Sequence, residues 1–230
     1  MRIFPVAAAF AAGVLACLAG TSTAAAQSAC TDLAGTVGPD GICTVHASNP
    51  TYTLDMTFPN DYPDQQALTN YLTQTRDGFV NVSQMPGSWN LPYQLDAKGT
   101  GYHSGPPNAG TQSVVFEVYQ NVGGARPQTF DQAFNWDVAK HAPITFDSLF
   151  KPGAKPLDVI YPEVNRSLQK QQGMIDTIPP SKGLDPANYK NFAITDDAVI
   201  FFFSQGEIFP ESAGAVQASV PRALLAPLLA

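Results

Sequence analysis

His46, His103 and His141 are the chain's three imidazoles, and they fall on separate, loop-like segments. None has the i,i+4 or turn spacing that lets two rings share a metal ion. Gly101-Tyr-His-Ser-Gly105 sets a serine among glycines, but a nucleophile elbow needs G-x-S-x-G at a strand–turn–helix junction. Here Ser104 abuts its second glycine, and no helical pattern follows. Asp196-Asp197 is an adjacent carboxylate pair. Neighbouring residues in a tight turn point apart, whereas a glycosidase pair converges at about 5–9.5 Å. Turn chemistry accounts for the two aspartates. Glu207 and Glu211 flank the end of an apolar run, and a cell-wall or polysaccharide hydrolase would need one of them, Glu207 first, to converge with an Asp. No residue set specifies a reaction. The residues therefore read as a non-enzymatic protein with no cofactor and no metal site, the hydrolase being the alternative.

Binding chemistry has better candidates. Lys98 to Gly110, KGTGYHSGPPNAG, reads as a loop long for a compact domain, and such loops are disproportionately functional. Tyr102 and His103 would present an amphipathic contact at its tip. Trp89, in the preceding loop SQMPGSWNLP, is a second large aromatic among turn residues. Both rings could instead fold back as caps on the core, as large aromatics commonly do.

The first 20 residues, MRIFPVAAAFAAGVLACLAG, carry one cation and then an apolar stretch too short to span a bilayer. Ala24-Ala25-Ala26 then offers an A-x-A cleavage site before Gln27. Residues 1–26 therefore read as a secretory signal, with lipid attachment at Cys17 as the competing processing route. No other stretch is long and apolar enough to cross a membrane. Export leaves Cys30 and Cys43, and an even pair in an oxidising compartment is most simply a disulfide. The span between them, TDLAGTVGPDGI, lacks periodicity and gains order from such a staple. Without Arg2 the chain holds 11 basic and 19 acidic residues, a formal charge of −8. With no Lys/Arg cluster, this excludes nucleic-acid binding by phosphate neutralisation. Attraction to anionic lipid is equally unsupported.

The elements that must position these residues follow from periodicity. Thr51 to Phe58 alternates polar and apolar as a half-buried strand. Leu68, Tyr71, Leu72, Thr75 and Phe79 recur at helical spacing, with Pro63 and Asp64 at the start and Gly78 marking the end. Tyr93 to Ala97 is a short strand. Ser113 to Gln120 and Thr129 to Val138 form an antiparallel pair around Gly123-Gly124. Pro162 is expected to break the next helical region into two segments, the second ending at Gly173. Thr177 to Pro186 reads as a linker. Phe192 to Ile194, the Asp196-Asp197 turn and Val199 to Phe203 form a hairpin whose second strand is apolar on both faces, a central strand by that token. Val199, Phe201 and Phe203 face one way, Ile200 and Phe202 the other. A third strand and a final helix after Pro221 complete the chain. Strands and helices interspersed without βαβ regularity indicate an α+β fold in one domain, residues 27–230.

The segments Phe192-Ala-Ile-Thr-Asp-Asp197, Gly206-Glu-Ile208, Pro210, Ala213-Gly214 and Val220-Pro221 resemble the signature of RsiV-type domains, the extracytoplasmic parts of lysozyme-sensing anti-sigma factors. About residues 113–222 would be that part. Tyr62-Pro-Asp-Gln65, Gln74-Thr-Arg-Asp77, Val118-Tyr-Gln-Asn121, Gly183-Leu-Asp-Pro186 and Asn188-Tyr189 extend the likeness across the mature chain. Together they resemble the mycobacterial secreted immunogenic proteins of the 64 type. That resemblance implies a β-grasp-like mixed sheet packed on helices, and an extracellular, monomeric antigen that binds a protein or envelope glycan. Lysozyme and peptidoglycan are the implied partner classes.

Overall fold

A computed structural model describes residues 28–124, 126–172 and 177–230; the signal segment, Cys17, the Gln27 junction and Gly173 lie outside them. In chain order the first elements are α1 (Ala29–Asp32), β1 (Thr36–Val37), β2 (Ile42–Ser48), β3 (Tyr52–Pro59), α2 (Gln65–Ser83), β4 (Tyr93–Ser104), β5 (Thr111–Asn121), β6 (Gln128–Asp137) and β7 (Ala142–Pro143). There follow α3 (Phe146–Leu149), α4 (Leu157–Gln172), α5 (Pro180–Gly183), β8 (Phe192–Ile194), β9 (Ala198–Phe203), β10 (Val216–Pro221) and α6 (Arg222–Leu225). Strands β1 to β7 form one sheet in sequence order, and β10-β9-β8 form a second. Only β3 and β4 pair in parallel in the large sheet, and α2 is the crossover between them. The fold is thus mixed α and β with a large sheet and several helices. β9 is central to the small sheet only.

Alternation sorts the large sheet into two faces. Cys43, Val45, Leu54, Met56, Phe58, Leu95, Phe116 and Val118 pack with Leu68, Leu72 and Phe79 of α2 in one core. Asp64 caps α2 by accepting from the Ala67 N–H at 3.0 Å. The Cys30–Cys43 disulfide is present with Cα atoms 5.7 Å apart, fastening α1 to β2. The small sheet covers the β4–β6 half of the opposite face through Val115, Ala193 and Phe202, with Tyr102, Ala133 and Ile200 packed around them. Its far side carries Val199, Phe201 and Phe203, which join Tyr189, Ile160, Val164 and Leu168 in a second core. Both faces of β9 are therefore buried, as its unbroken apolar run requires.

Three local expectations fail, each for a physical reason. Gly78 does not end α2; it lies on the exposed face with nothing near its Cα hydrogen, so it costs helix propensity of about 1 kcal/mol without terminating the helix. Pro162 does not split α4. It sits early in the helix on the exposed side, opposite the buried Ile160, Val164 and Leu168 stripe, where water can serve the freed carbonyl of Asp158. Lys98 to Ser104 is not loop but the second half of β4, paired with β5 from Lys98↔Glu117 to Ser104↔Thr111. The glycine that disguised it has a packing role: a Cβ on Gly99 would stand 2.8 Å from the Phe58 Cβ and 2.9 Å from the Phe116 ring. Within the expected linker, Pro180–Gly183 forms the single turn α5.

The two sheets are joined by polar side chains. Ser113 donates to Asn135 Oδ1 at 2.6 Å, and Asn135 donates to the Phe192 carbonyl at 2.8 Å. Along the free edge of β6, the Ala133 N–H donates to Asn191 Oδ1 (3.1 Å) and Asn191 Nδ2 to the Asp131 carbonyl (2.8 Å). The Asp131 N–H donates to Ser204 Oγ (3.0 Å), and that of Thr129 to Gln205 Oε1 (3.0 Å).

Candidate functional site

Register builds one cross-strand row on the outer face of the large sheet: Lys98 opposite Glu117, and Glu117 opposite Asp131. The neighbouring row sets Thr100 opposite Val115 and Val115 opposite Ala133. Where the small sheet meets this face, Phe202 and Gln217 overhang the rows and leave a cleft. One part, of about 140 Å³, is bounded by Lys98, Thr100, Tyr102, Val115, Glu117, Asp131, Phe202 and Gln217. A second, of about 310 Å³, shares Glu117, Asp131, Phe202 and Gln217 and opens toward Ala215 and Val216.

Asp131 is the unusual group. It is only 8 % exposed, and among the described residues no donor reaches its carboxyl; its backbone alone is bonded, to Ser204 and Asn191. Burial, reinforced by Glu117 and Glu207, raises its pKa to about 7. The carboxyl thus exchanges its proton near neutrality. Tyr102, whose ring lies 6.0 Å from that of Phe202, forms a neighbouring wall. Burial first and Asp131 second push the Tyr102 hydroxyl pKa upward. Burial also raises Glu207, although the Ser204 N–H donates to its Oε2 at 2.7 Å and Lys190 and Lys182 oppose the shift. Glu117 and Glu207 thus add to the effect of burial on Asp131, and a strongly perturbed carboxyl of this kind is frequent at functional sites.

The residues expected to make contacts are not brought together. Tyr102 lines the cleft from within β4 rather than from a loop tip. His103, its neighbour in the strand, is exposed and turned to the other face. Trp89 is 61 % exposed at the opposite end of β4, where the β5–β6 turn is pressed against it. A Cβ on Gly124 (φ +65°) would stand 2.5 Å from the indole Cζ2. Asp196 and Asp197 are exposed turn residues, and Asp196 also accepts from the Gly105 N–H at 2.7 Å, pinning the β4–β5 connection. His46 pairs with Asp55 across strands at 2.7 Å on the open surface. Among the described residues no serine hydroxyl is bonded to a histidine, and no three His, Cys, Asp or Glu side chains converge as metal ligands. Asp131 and Glu117 had no local sequence signal. Each is one polar residue in an alternating strand, and only register and the overhanging sheet single them out.

The model of a protein family of unknown function (DUF3298) matches residues 147–223. The chain is 56 % identical over 211 residues to a protein of Mycobacterium tuberculosis named Esterase Rv3036c, covering 92 % of this chain and 93 % of the relative. It is 44 % identical over 217 residues to Immunogenic protein MPB64 of Mycobacterium bovis and to MPT64 of Mycobacterium tuberculosis, covering 94 % of this chain and 95 % of each. A solved DUF3298 family protein from Pseudomonas aeruginosa aligns over 82 % of this chain and 94 % of its own, with TM-score 0.54 and 12 % identity. That last likeness concerns the fold alone.

Proposed function

Since this chain belongs to the family of the mycobacterial immunogenic proteins MPB64 and MPT64, we propose that it is an exported, non-enzymatic antigen that binds a protein or cell-envelope ligand in the cleft between its two sheets. The observation that carries the reading is the Asp131 carboxyl, which opens to the cleft from a residue that is otherwise buried and has no protein donor among the described residues. A ligand donor that displaces water from such a half-desolvated carboxyl gains a charge-assisted hydrogen bond. Tyr102, half-buried with its ring tilted 59° to that of the buried Phe202, supplies an apolar wall for a sugar ring or a side chain. In the same reading the large sheet on α2 is a β-grasp-like unit, residues 27–230 act as one monomeric domain, and residues 1–26 are removed on export. The disulfide suits an oxidising compartment. The resemblance to lysozyme-sensing domains supports lysozyme or peptidoglycan as partner classes. Trp89 and His103 would serve only a ligand large enough to reach round the sheet, which distinguishes a protein from a glycan fragment.

Titration of the mature protein with lysozyme and with soluble peptidoglycan fragments tests this. Tyr102→Ala and Asp131→Ala should each weaken binding by about tenfold or more, the scale of a lost charge-assisted hydrogen bond or stacked ring. Wild-type affinity in both variants would refute the cleft.

A second reading, ester hydrolysis, is favoured by one specific observation: a carboxyl titrating near pH 7 can take a proton from water as general base. The relative named an esterase agrees with it. Reproducible turnover of short p-nitrophenyl esters, lost in Asp131→Asn and kept in Ser104→Ala, would replace the binding reading with this one.

A further inference from the structure

The polar side chains that face the inter-sheet cleft are free of one another. Among the described residues those of Thr100, Tyr102, Glu117, Asp131 and Gln217 make no hydrogen bond to protein, and no ion pair includes Lys98, Glu117 or Asp131. For Glu117 and Gln217, exposed at the rim, water suffices. Asp131 differs, being 8 % exposed. Its N–H is spent on Ser204 and its carbonyl on Asn191, so the part left open is the carboxyl, which borders both parts of the cleft. Carboxylates so far withdrawn from bulk water are ordinarily matched by a donor.

The charge around that carboxyl is negative. Glu117, its neighbour across β5 and β6, and Glu207, beyond β9, reinforce burial in lifting it to about 7, and no cation counters them. Lys98, exposed on β4, is the one cation on the cleft wall among the described residues. Set against Glu117 and an ionised Asp131, it leaves a carboxylate uncompensated. Lys182 and Lys190 act on Glu207 instead, and Lys182 gives its ammonium to the Gly206 and Glu207 carbonyls. From β10 come only the uncharged Val216 and Gln217. The whole chain carries a formal charge of −7, which draws cations toward it. The remaining walls are Val115, Phe202 and the half-buried ring of Tyr102. An apolar wall ending on an acid suits a methylene stem with a cationic head.

Resting on the reading of the cleft as the binding site, we infer that the group it recognises is a primary ammonium at the end of an alkyl chain, a lysine side chain of a protein partner, with the ammonium donating to Asp131 and the methylenes against Tyr102 and Phe202. An ammonium has three donors that point apart, and acceptors stand on three separate strands: Thr100 on β4, Asp131 on β6 and Gln217 on β10. A planar guanidinium fork would instead ask for two acceptors side by side. The narrower part of the cleft, about 140 Å³, has room for the end of one chain, and the wider part of about 310 Å³ opens beside Ala215 and Val216 toward whatever carries it.

The test is an NMR titration of the labelled mature protein with butylammonium chloride, with neutral butanol and with calcium chloride. Butylammonium should shift the Tyr102, Asp131 and Gln217 amides saturably at pH 8, with a Kd on the order of 1–10 mM, modest as befits a ligand of few atoms. Binding needs Asp131 ionised while the amine keeps its proton throughout, so affinity should fall about tenfold from pH 8 to pH 6. Asp131→Asn should weaken binding at pH 8 about tenfold and remove most of that pH dependence, leaving only what Glu207 contributes. Lys98→Met, at an exposed position, should tighten binding about two- to threefold by removing the competing cation, and it decides the matter should Asp131→Asn not fold. No saturable shift from butylammonium, or an unchanged pH dependence in Asp131→Asn, overturns the ammonium site. So does tighter binding of butanol or calcium at the same amides. Peptidoglycan fragments with their amines acetylated that still shift those amides keep the cleft as a binding site and overturn the ammonium alone.

Discussion

Replacing Asp131 with Asn should flatten the dependence of stability on pH between pH 5 and pH 8. Folding lifts this carboxyl from 3.8 to about 7, chiefly by burial. The folded state therefore holds the proton more tightly than the unfolded chain, by about 4 kcal/mol at about 1.36 kcal/mol per tenfold. The sign follows: over that interval the native state binds more protons, so stability is fully present below the unfolded value and is lost as pH rises through the folded one. Roughly 2.5 kcal/mol of the loss falls between pH 5 and pH 8. An Asn at 131 has nearly the same shape and no charge to desolvate. Urea denaturation of both proteins at the two pH values gives four stabilities. The gap between variant and wild type should widen in the variant's favour by about 2–3 kcal/mol toward pH 8. The desolvation that raises Glu207 is common to both proteins and drops out of that difference. A gap constant across the range would refute the desolvation of Asp131 and, with it, the physical basis of the cleft.

Phe201→Ala should cost about 3–5 kcal/mol by denaturation, since the ring is fully buried against Tyr189 at 5.3 Å; a loss below about 1 kcal/mol would mark that face as open. Gly99→Ala should destabilise by about 1–3 kcal/mol through overpacking against Phe58 and Phe116, measurable as a lower urea midpoint at unchanged slope. Cys30→Ala with Cys43→Ala should cost about 3 kcal/mol in the chain-entropy account, and intact mass with and without reductant should differ by two hydrogens in the wild type only.

The hairpin of β8 and β9 was legible because apolar run, turn acids and alternation all agreed, and its two-faced burial followed from side-chain direction alone. Helix α2 was legible from its stripe, but not its length, because a solvent-facing glycine weakens a helix without stopping it. The second half of β4 was hidden by Gly99 and Gly101, whose composition signals a turn while their role is to admit neighbouring rings. The division into two sheets was not legible, since strand pairing is decided by tertiary docking and alternation reports only faces. For the same reason Tyr102 could be singled out from its type, whereas Asp131 acquires its character only from the sheet folded over it.

The capping of β6 has a consequence for assembly. A sheet grows by recruiting main chain to a bare rim, whether from a neighbour molecule or from a swapped segment. Here Asn191, Ser204 and Gln205 impersonate the next strand, meeting the amides of Thr129, Asp131 and Ala133 with side chains. The opposite rim is β1, two residues long. The carboxyl-terminal part of the chain is therefore a stopper as well as a wall. A fragment ending before Asn191 would keep its seven strands' worth of sequence and leave the amides of Thr129, Asp131 and Ala133 bare.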